Sequence, residues 1–344
     1  MIAELKVIHR LLSHRPVFVG FNVTNRCTMR CKFCNVPALE HRDMSLAEIH
    51  RVLDQLAGIG VPVVGVTGGE PFLRKDLPEI IGAIADRGMK CTVVTNGELF
   101  NIDRARELAH LDNIVHFALS VDSLDSNLYA QLRGKRTLPE ILHRYLDAIQ
   151  HGPKTAYKFN VVLGPENLDE IDSFMTLAQA NGLYLSFLPM NVAPGGLHRG
   201  ADYPGLTAEK RKEISAAFLA LRQRKLRGAP LWDHRDFYLH AARYVLGEQM
   251  GECGAGQLFL DLRSDGKLAF CNEMPHFLDL LEVDKLTLKM IRNRRREWQE
   301  RIEGCQADSA CCYTCSYNVT ATAHNLPAYI WDYFRLTRYG NSWK

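Results

Sequence analysis

Three cysteines stand close together in the run Asn25-Arg26-Cys27-Thr28-Met29-Arg30-Cys31-Lys32-Phe33-Cys34-Asn35. Thiolates at such spacing ligate zinc or iron–sulfur clusters. A cubane cluster ordinarily takes four cysteines, so three leave one iron open to chelate a substrate or cofactor. That vacancy gives the C-x3-C-x2-C spacing its chemical meaning. The plainer readings are a zinc site, three buried structural thiols, or surface cysteines that oxidise together. Phe33, beside the last of the three, either shields a cluster or packs as an ordinary aromatic.

A second set follows residue 250. Cys253, twelve further residues, Gly266, four more and then Cys271 form a C-x12-G-x4-C string. Within it, residues 259–268 read as strand, Asp265-Gly266 turn and strand, a hairpin that brings its two cysteines together. Cys312 and Cys315, two residues apart, suit one metal centre, with Cys311 as rival to Cys312 and Cys305 flanking them. A zinc knuckle is the plain alternative for this module. Cys91, inside a strand, reads as a small core residue. Glu273 and His276 are guesses beside Cys271, and no motif singles out a catalytic acid or base.

The elements that must position these groups show as alternating β-branched runs and helical periodicity. Strands are predicted at 17–24, 62–67, 90–95, 114–121, 158–163 and 183–189, with helices near 45–58, 76–87, 103–110, 138–149 and 168–181. Such alternation gives parallel strands with crossover helices, and several strands are apolar on both faces, as in a sheet covered by helices. Six units are too few to close an eight-stranded barrel, so a partly open, TIM-like (β/α)6 barrel of class α/β is expected. The division drawn is an N-terminal helix at 1–16, the barrel at 17–206, a helical connector at 207–250, a small Cys-rich iron–sulfur module at 251–320, and a C-terminal helix and tail at 321–344.

The cysteine loop after the first strand, followed by Thr67-Gly68-Gly69-Glu70-Pro71 at the end of the second, resembles the radical S-adenosylmethionine (SAM) superfamily. The resemblance spans the first ~190 residues. It implies a 4Fe-4S cluster on Cys27, Cys31 and Cys34, with SAM on the open iron. Gly68, Gly69 and Glu70 would hold the amino end of the cofactor, and Ser120, Asp122 and Asn160, at later strand ends, its carboxylate and ribose. Arg133 resembles an arginine that faces the carboxylate in relatives, and Met190 would line the adenine pocket; for each, a cap, turn or core role is the bland reading. The C-terminal cysteines resemble the short auxiliary-cluster extension called twitch, related to the longer SPASM extension. One auxiliary 4Fe-4S cluster on Cys253, Cys271, Cys312 and Cys315 is therefore expected, since the array for a second is missing.

By the same resemblance, an electron from a flavodoxin or ferredoxin cleaves SAM to a 5'-deoxyadenosyl radical that abstracts hydrogen from substrate. The auxiliary cluster would then complete a net oxidation, making the chain an oxidoreductase. Relatives act on an aminocyclitol, a molybdopterin precursor and peptides. Only 16 residues precede the first strand, so a metabolite, lipid or pigment precursor is preferred over the peptide of a SPASM-type maturase. A non-enzymatic zinc or iron–sulfur binding protein is the contrasting class.

Composition sets outer bounds. A net charge of +3 and pI near 8.3 are too mild for a phosphate-driven nucleic-acid partner. No apolar run approaches the ~20 residues of a membrane span, and residues 1–15 lack a secretory cleavage pattern. Ten cysteines without such a signal point to metal chemistry in a reducing compartment, and the expected location is cytoplasmic. Arg294, Arg295, Arg296 and Arg301 read as a solvated helix face. The terminal run Tyr329, Trp331, Tyr333, Phe334, Tyr339 and Trp343, with Arg335, Arg338 and Lys344, leaves peripheral membrane contact or an apolar substrate open, although packing on the barrel is commoner.

Overall fold

Strand β1, Phe18–Thr24, shows the pattern that organises the molecule. Val19, Phe21 and Val23 alternate into the core with Ile49, Val52 and Leu53, while Phe18, Gly20 and Asn22 take the opposite face. The computed structural model describes residues 2–40, 42–110, 112–191, 206–248, 252–307 and 316–336.

In chain order the elements are α1 Ile2–Leu12, β1, α2 Leu46–Gly58, β2 Val63–Gly68, α3 Leu77–Asp86, β3 Lys90–Thr95, α4 Ile102–Ala109, β4 Ile114–Ser120, α5 Ser126–Arg133, α6 Leu138–His151, β5 Ala156–Leu163, α7 Ile171–Asn181 and β6 Tyr184–Pro189. Then follow α8 Ala208–Leu226, α9 Arg235–Val245, β7 Phe259–Leu262, β8 Lys267–Ala269, β9 His276–Asp279, α10 Leu288–Glu297, α11 Gln299–Ala307, α12 Tyr317–His324 and α13 Leu326–Leu336. The strands form one sheet in the order β6-β5-β4-β3-β2-β1-β7-β8-β9. Neighbours from β6 to β7 run parallel, and β7-β8-β9 are antiparallel.

The crossover helices cover one face. α2 starts at a capping box, Ser45 with Glu48, and buries Ile49, Val52, Leu53 and Leu56; α3 and α6 each begin with a Pro near N1 and bury Ile80, Ile84, Ile141 and Tyr145. The chain is thus an α/β fold around a six-unit parallel sheet, as its alternation indicates.

Two features were not legible in the pattern. The hairpin at 259–269 does not stand apart, because β7 pairs with β1 in parallel register, Phe18↔Phe259 to Phe21↔Leu262, and continues the sheet. Helix α5 falls between the strand predicted at 114–121 and the helix predicted near 138–149, where no element was assigned. Its cues are local ones, an Asp125 N-cap accepting from Asn127 and Leu128 N–H, and a Gly134 C-cap at φ 77°. Residues 207–250 contain α8 and α9, whereas residues 192–205 and Cys311, Cys312 and Cys315 lie outside the described residues. No helix among the described residues is long and apolar enough to cross a membrane.

Candidate active site at the cysteine loop

The loop after β1 is held from two sides by backbone contacts that leave its thiols at the C-terminal end of the strands. On one side, Gly69 N–H donates to the Thr24 carbonyl at 2.7 Å and Glu70 N–H to the Arg26 carbonyl at 2.8 Å. A Cβ on Gly68, at φ 129°, would collide with the Thr24 carbonyl, and one on Gly69 with the Arg26 carbonyl. The glycine pair is therefore imposed by the cysteine loop itself, whatever else its bare backbone admits.

Glu70 turns inward from this contact and is fully buried. Its carboxylate accepts from Phe72 N–H at 3.1 Å, Thr95 Oγ1 at 2.9 Å and Asn96 N–H at 2.7 Å. Burial nevertheless raises its pKa to about 7 against those bonds. Asn96 in turn donates through Nδ2 to Thr28 Oγ1 at 3.0 Å and to Cys27 Sγ at 3.6 Å. A relay of Glu70, Asn96 and Cys27 thus ties the ends of β2 and β3 to the first thiol.

From the other side, α5 grips the same loop. Met29 is buried beneath Tyr129, and Lys32 N–H donates to the Leu132 carbonyl at 2.9 Å. Arg133, 6% exposed, places Nε 2.6 Å from Asp122 Oδ2, a close ionic contact rather than an aligned hydrogen bond. Its Nη1 lies 3.7 Å from Cys31 Sγ, and the guanidinium sits 5.5 Å over the Phe33 ring. Asp122 Oδ1 accepts from Val162 N–H at 2.8 Å. Burial pushes all three thiols up, Cys34 to about 11, while Arg133 pulls Cys31 and Cys34 back. Ligating a cationic cluster would hold them as thiolates.

Ser120 and Asn160 lie side by side in the β4–β5 register. Asn160 Oδ1 is buried without a hydrogen-bond partner, an arrangement that is costly unless a bound group supplies the donor. Met190 is fully buried, with its N–H on the Leu163 carbonyl. Cys27, Cys31, Cys34, Gly68, Gly69, Glu70, Asp122 and Arg133 are knit into one contact network, and the paired Ser120 and Asn160 join it through Val121 N–H on the Asn160 carbonyl. Thr28, Thr95 and Asn96 belong to it too; their signal was polarity at a strand end.

The C-terminal set is only partly described. Gly266, at φ 89°, turns the β7–β8 hairpin between Cys253 and Cys271. Arg295 donates to the Ala255 carbonyl at 2.9 Å and the Cys253 carbonyl at 3.3 Å, so of the basic run Arg294 and Arg296 are solvated while Arg295 clamps a cysteine. Phe270 stacks on Phe277 at 4.2 Å and meets the edge of Trp298 at 5.6 Å. Cys91 is buried in the core, and Trp331 of the terminal aromatic run is 60% exposed. Among the described residues no three Cys, His, Asp or Glu side chains converge on one metal ion; a cubane asks for no such convergence, since each thiolate binds a separate iron.

Sheet topology and cysteine loop together define an α/β protein built to present three thiols at strand ends. Residues 21–178 match the Radical SAM superfamily, so the chain carries a radical SAM domain. It is 37% identical over 183 residues to the "Probable GTP 3',8-cyclase" of Methanopyrus kandleri, covering 52% of this chain and 58% of that protein. A GTP 3',8-cyclase of Alkaliphilus oremlandii is 27% identical over 309 residues, covering 84% and 89% of the two chains. The fold is also that of Streptococcus suis SuiB bound to S-adenosylmethionine, with a TM-score of 0.63, 19% identity and coverage of 92% and 75%. The chain spans little more than half the length of the first curated relatives it matches, 58% and 53%.

Proposed function

We propose that this chain binds a 4Fe-4S cluster on Cys27, Cys31 and Cys34, cleaves SAM reductively, and uses the resulting radical to abstract hydrogen from a small-molecule substrate. When bound, the cluster supplies one electron that breaks a carbon–sulfur bond of SAM, giving methionine and a 5'-deoxyadenosyl radical. The single observation that carries this reading is the loop itself, three thiols fixed from both sides at the strand ends.

The chain's own residues do the positioning. Gly68 and Gly69 offer bare backbone beside the cysteine loop for the amino end of SAM. Glu70 acts through Asn96 on the loop and not by direct reach, because its carboxylate is spent on Phe72, Thr95 and Asn96. The unpartnered Asn160 Oδ1, beside Ser120, is suited to accept from a ribose hydroxyl. Arg133, steadied by Asp122, lies against Cys31 and over Phe33 and would supply positive charge for the SAM carboxylate. Met190 would border the adenine.

An auxiliary 4Fe-4S cluster on Cys253, Cys271, Cys312 and Cys315 would take an electron from the substrate radical, giving the net oxidation of an oxidoreductase, with a flavodoxin- or ferredoxin-like donor feeding the first cluster. Anaerobic reconstitution tests the whole reading. The expected result is brown protein with about eight irons per chain that forms equal amounts of 5'-deoxyadenosine and methionine when reduced with SAM. Colourless protein holding zinc, or cluster-loaded protein that leaves SAM intact, would contradict it.

A further inference from the structure

Cys27 receives hydrogen bonds from two amides. Met29 N–H donates to its Sγ at 3.4 Å from within the loop, and Asn96 Nδ2 donates from the end of β3 at 3.6 Å. The first is backbone and goes wherever the loop goes. The second is a side chain supplied by a separate strand, so it belongs to the barrel and not to the cysteine motif.

Asn96 has little choice in where its amide points. Its backbone N–H is held by Glu70 Oε2 at 2.7 Å, and its Oδ1 accepts from Glu98 N–H at 2.9 Å. With the oxygen end committed to Glu98, the NH2 end must face the loop, where it reaches Thr28 Oγ1 at 3.0 Å and Cys27 Sγ at 3.6 Å. Gly97 makes the turn behind it at φ 83°, where a Cβ would strike Ile141 and Leu119. Asn96 is 6% exposed, so water competes little for its donors, and a bond to a charged acceptor in such a place is strong.

Hydrogen bonds to the sulfurs are among the levers that set the reduction potential of an iron–sulfur cluster. One-electron reduction leaves more negative charge on the ligand sulfurs, so a donor aimed at one of them favours the reduced state. Arg133 Nη1, 3.7 Å from Cys31 Sγ, is a second side-chain donor, but it is tied to Asp122 and its removal strands a buried charge. Asn96 is neutral. Replacing its side chain leaves the three bonds of Glu70 in place, because Glu70 accepts from the backbone N–H of Asn96.

We propose that Asn96 sets the electron affinity of the cluster on Cys27, Cys31 and Cys34, its bond to Cys27 Sγ raising the potential at which one electron is accepted from the flavodoxin- or ferredoxin-like donor. In this step one electron passes from donor to cluster, and no covalent bond forms or breaks. The inference rests on the radical reading above and adds to it a positioning residue that acts through Cys27.

The test is a redox titration followed by electron paramagnetic resonance, on the anaerobically reconstituted full chain carrying Cys253→Ala so that a single cluster is read. Adding Asn96→Leu should lower the midpoint potential until the ratio of reduced to oxidised cluster, at a fixed potential, is about tenfold smaller, equivalent to about 59 mV for one electron. Asn96→Asp keeps the shape and the acceptor for Glu98 N–H but puts negative charge where the donor stood, and should fall further. Thr28→Val removes the other partner of the amide and leaves the bond to Cys27, so its ratio should stay within about twofold of the parent. Should Asn96→Leu load fewer than about four irons, Asn96→Asp carries the same expectation. An unchanged or raised midpoint in a fully loaded Asn96 variant, or an equal fall in Thr28→Val, overturns the inference. 5'-Deoxyadenosine formation by the Cys253→Ala parent keeps the two readings apart: cleavage of SAM with a midpoint indifferent to Asn96 sinks the role of Asn96 alone, and a midpoint that follows Asn96 in protein that leaves SAM intact sinks the radical reading alone.

Discussion

The two cysteine regions are built on opposite principles. Around Cys27, Cys31 and Cys34, elements far apart in sequence converge, with the ends of β2 and β3 on one side and α5 and the β4 end on the other, and each contact constrains a few loop residues. Around Cys253 and Cys271 the order is local: one hairpin, one Arg295 clamp and one aromatic cluster, attached to the barrel by β7 on β1. The first site is thus a product of the whole α/β fold, and the second is an addition to one edge of the same sheet. Damage at the first should spread through the barrel, whereas damage at the second should stay local.

The largest expected effect is at the thiols. Replacing any of Cys27, Cys31 or Cys34 by Ala should abolish 5'-deoxyadenosine formation, while Cys253→Ala should halve the iron content and leave reductive SAM cleavage in place; iron assay and chromatography of the cleaved cofactor check both. Next in size, Arg133→Met leaves Asp122 as an uncompensated buried charge and should cost about 3–5 kcal/mol of stability, read by denaturant unfolding. Gly69→Ala drives a Cβ into the Arg26 carbonyl, and a loss of about 2–4 kcal/mol is expected by the same measurement. Arg295→Ala, the counterpart at the second site, removes two carbonyl contacts and should cost only about 1–2 kcal/mol. If Arg295→Ala proves as damaging as Arg133→Met, the contrast between a fold-wide and a local site is wrong.

The smallest effect concerns pH. His116 has its folded pKa depressed below 6.5 by burial and by Lys158, so the unfolded chain takes up its proton first. The stability tied to a neutral His116 is present above pH 6.5 and is lost as pH falls below it. In His116→Phe the acid limb of the stability curve should be shallower, by at most about 1.4 kcal/mol per pH unit. Parallel acid limbs in the two proteins would show that the ring titrates normally.

Much of the fold was legible because its strands and helices obey simple periods: six strands and five crossover helices fall where β-branched runs and amphipathic stretches predict them. α5 was not, because eight residues with Ser126 and Asn127 in the first turn carry little apolar periodicity and only the Asp125 and Gly134 caps announce it. The parallel pairing of β7 with β1 was hidden for a different reason. It joins segments some 240 residues apart, and a hairpin signal at 259–269 says nothing about which edge it will meet. At the site, residue types and spacing named the thiols and the glycines. They did not reveal that the glycines serve the cysteine loop, that Glu70 faces inward, or that Arg133 lies against Cys31, because each depends on which loops the folded sheet brings together.

The most direct test of the central claim uses Cys253→Ala, which removes a ligand of the second site and leaves the first intact. Its reduced, anaerobic protein should give an electron paramagnetic resonance signal of one 4Fe-4S cluster whose g-values shift when SAM is added, as direct chelation of an open iron requires. A signal indifferent to SAM, or one that vanishes in Cys253→Ala and persists in Cys31→Ala, would contradict the account.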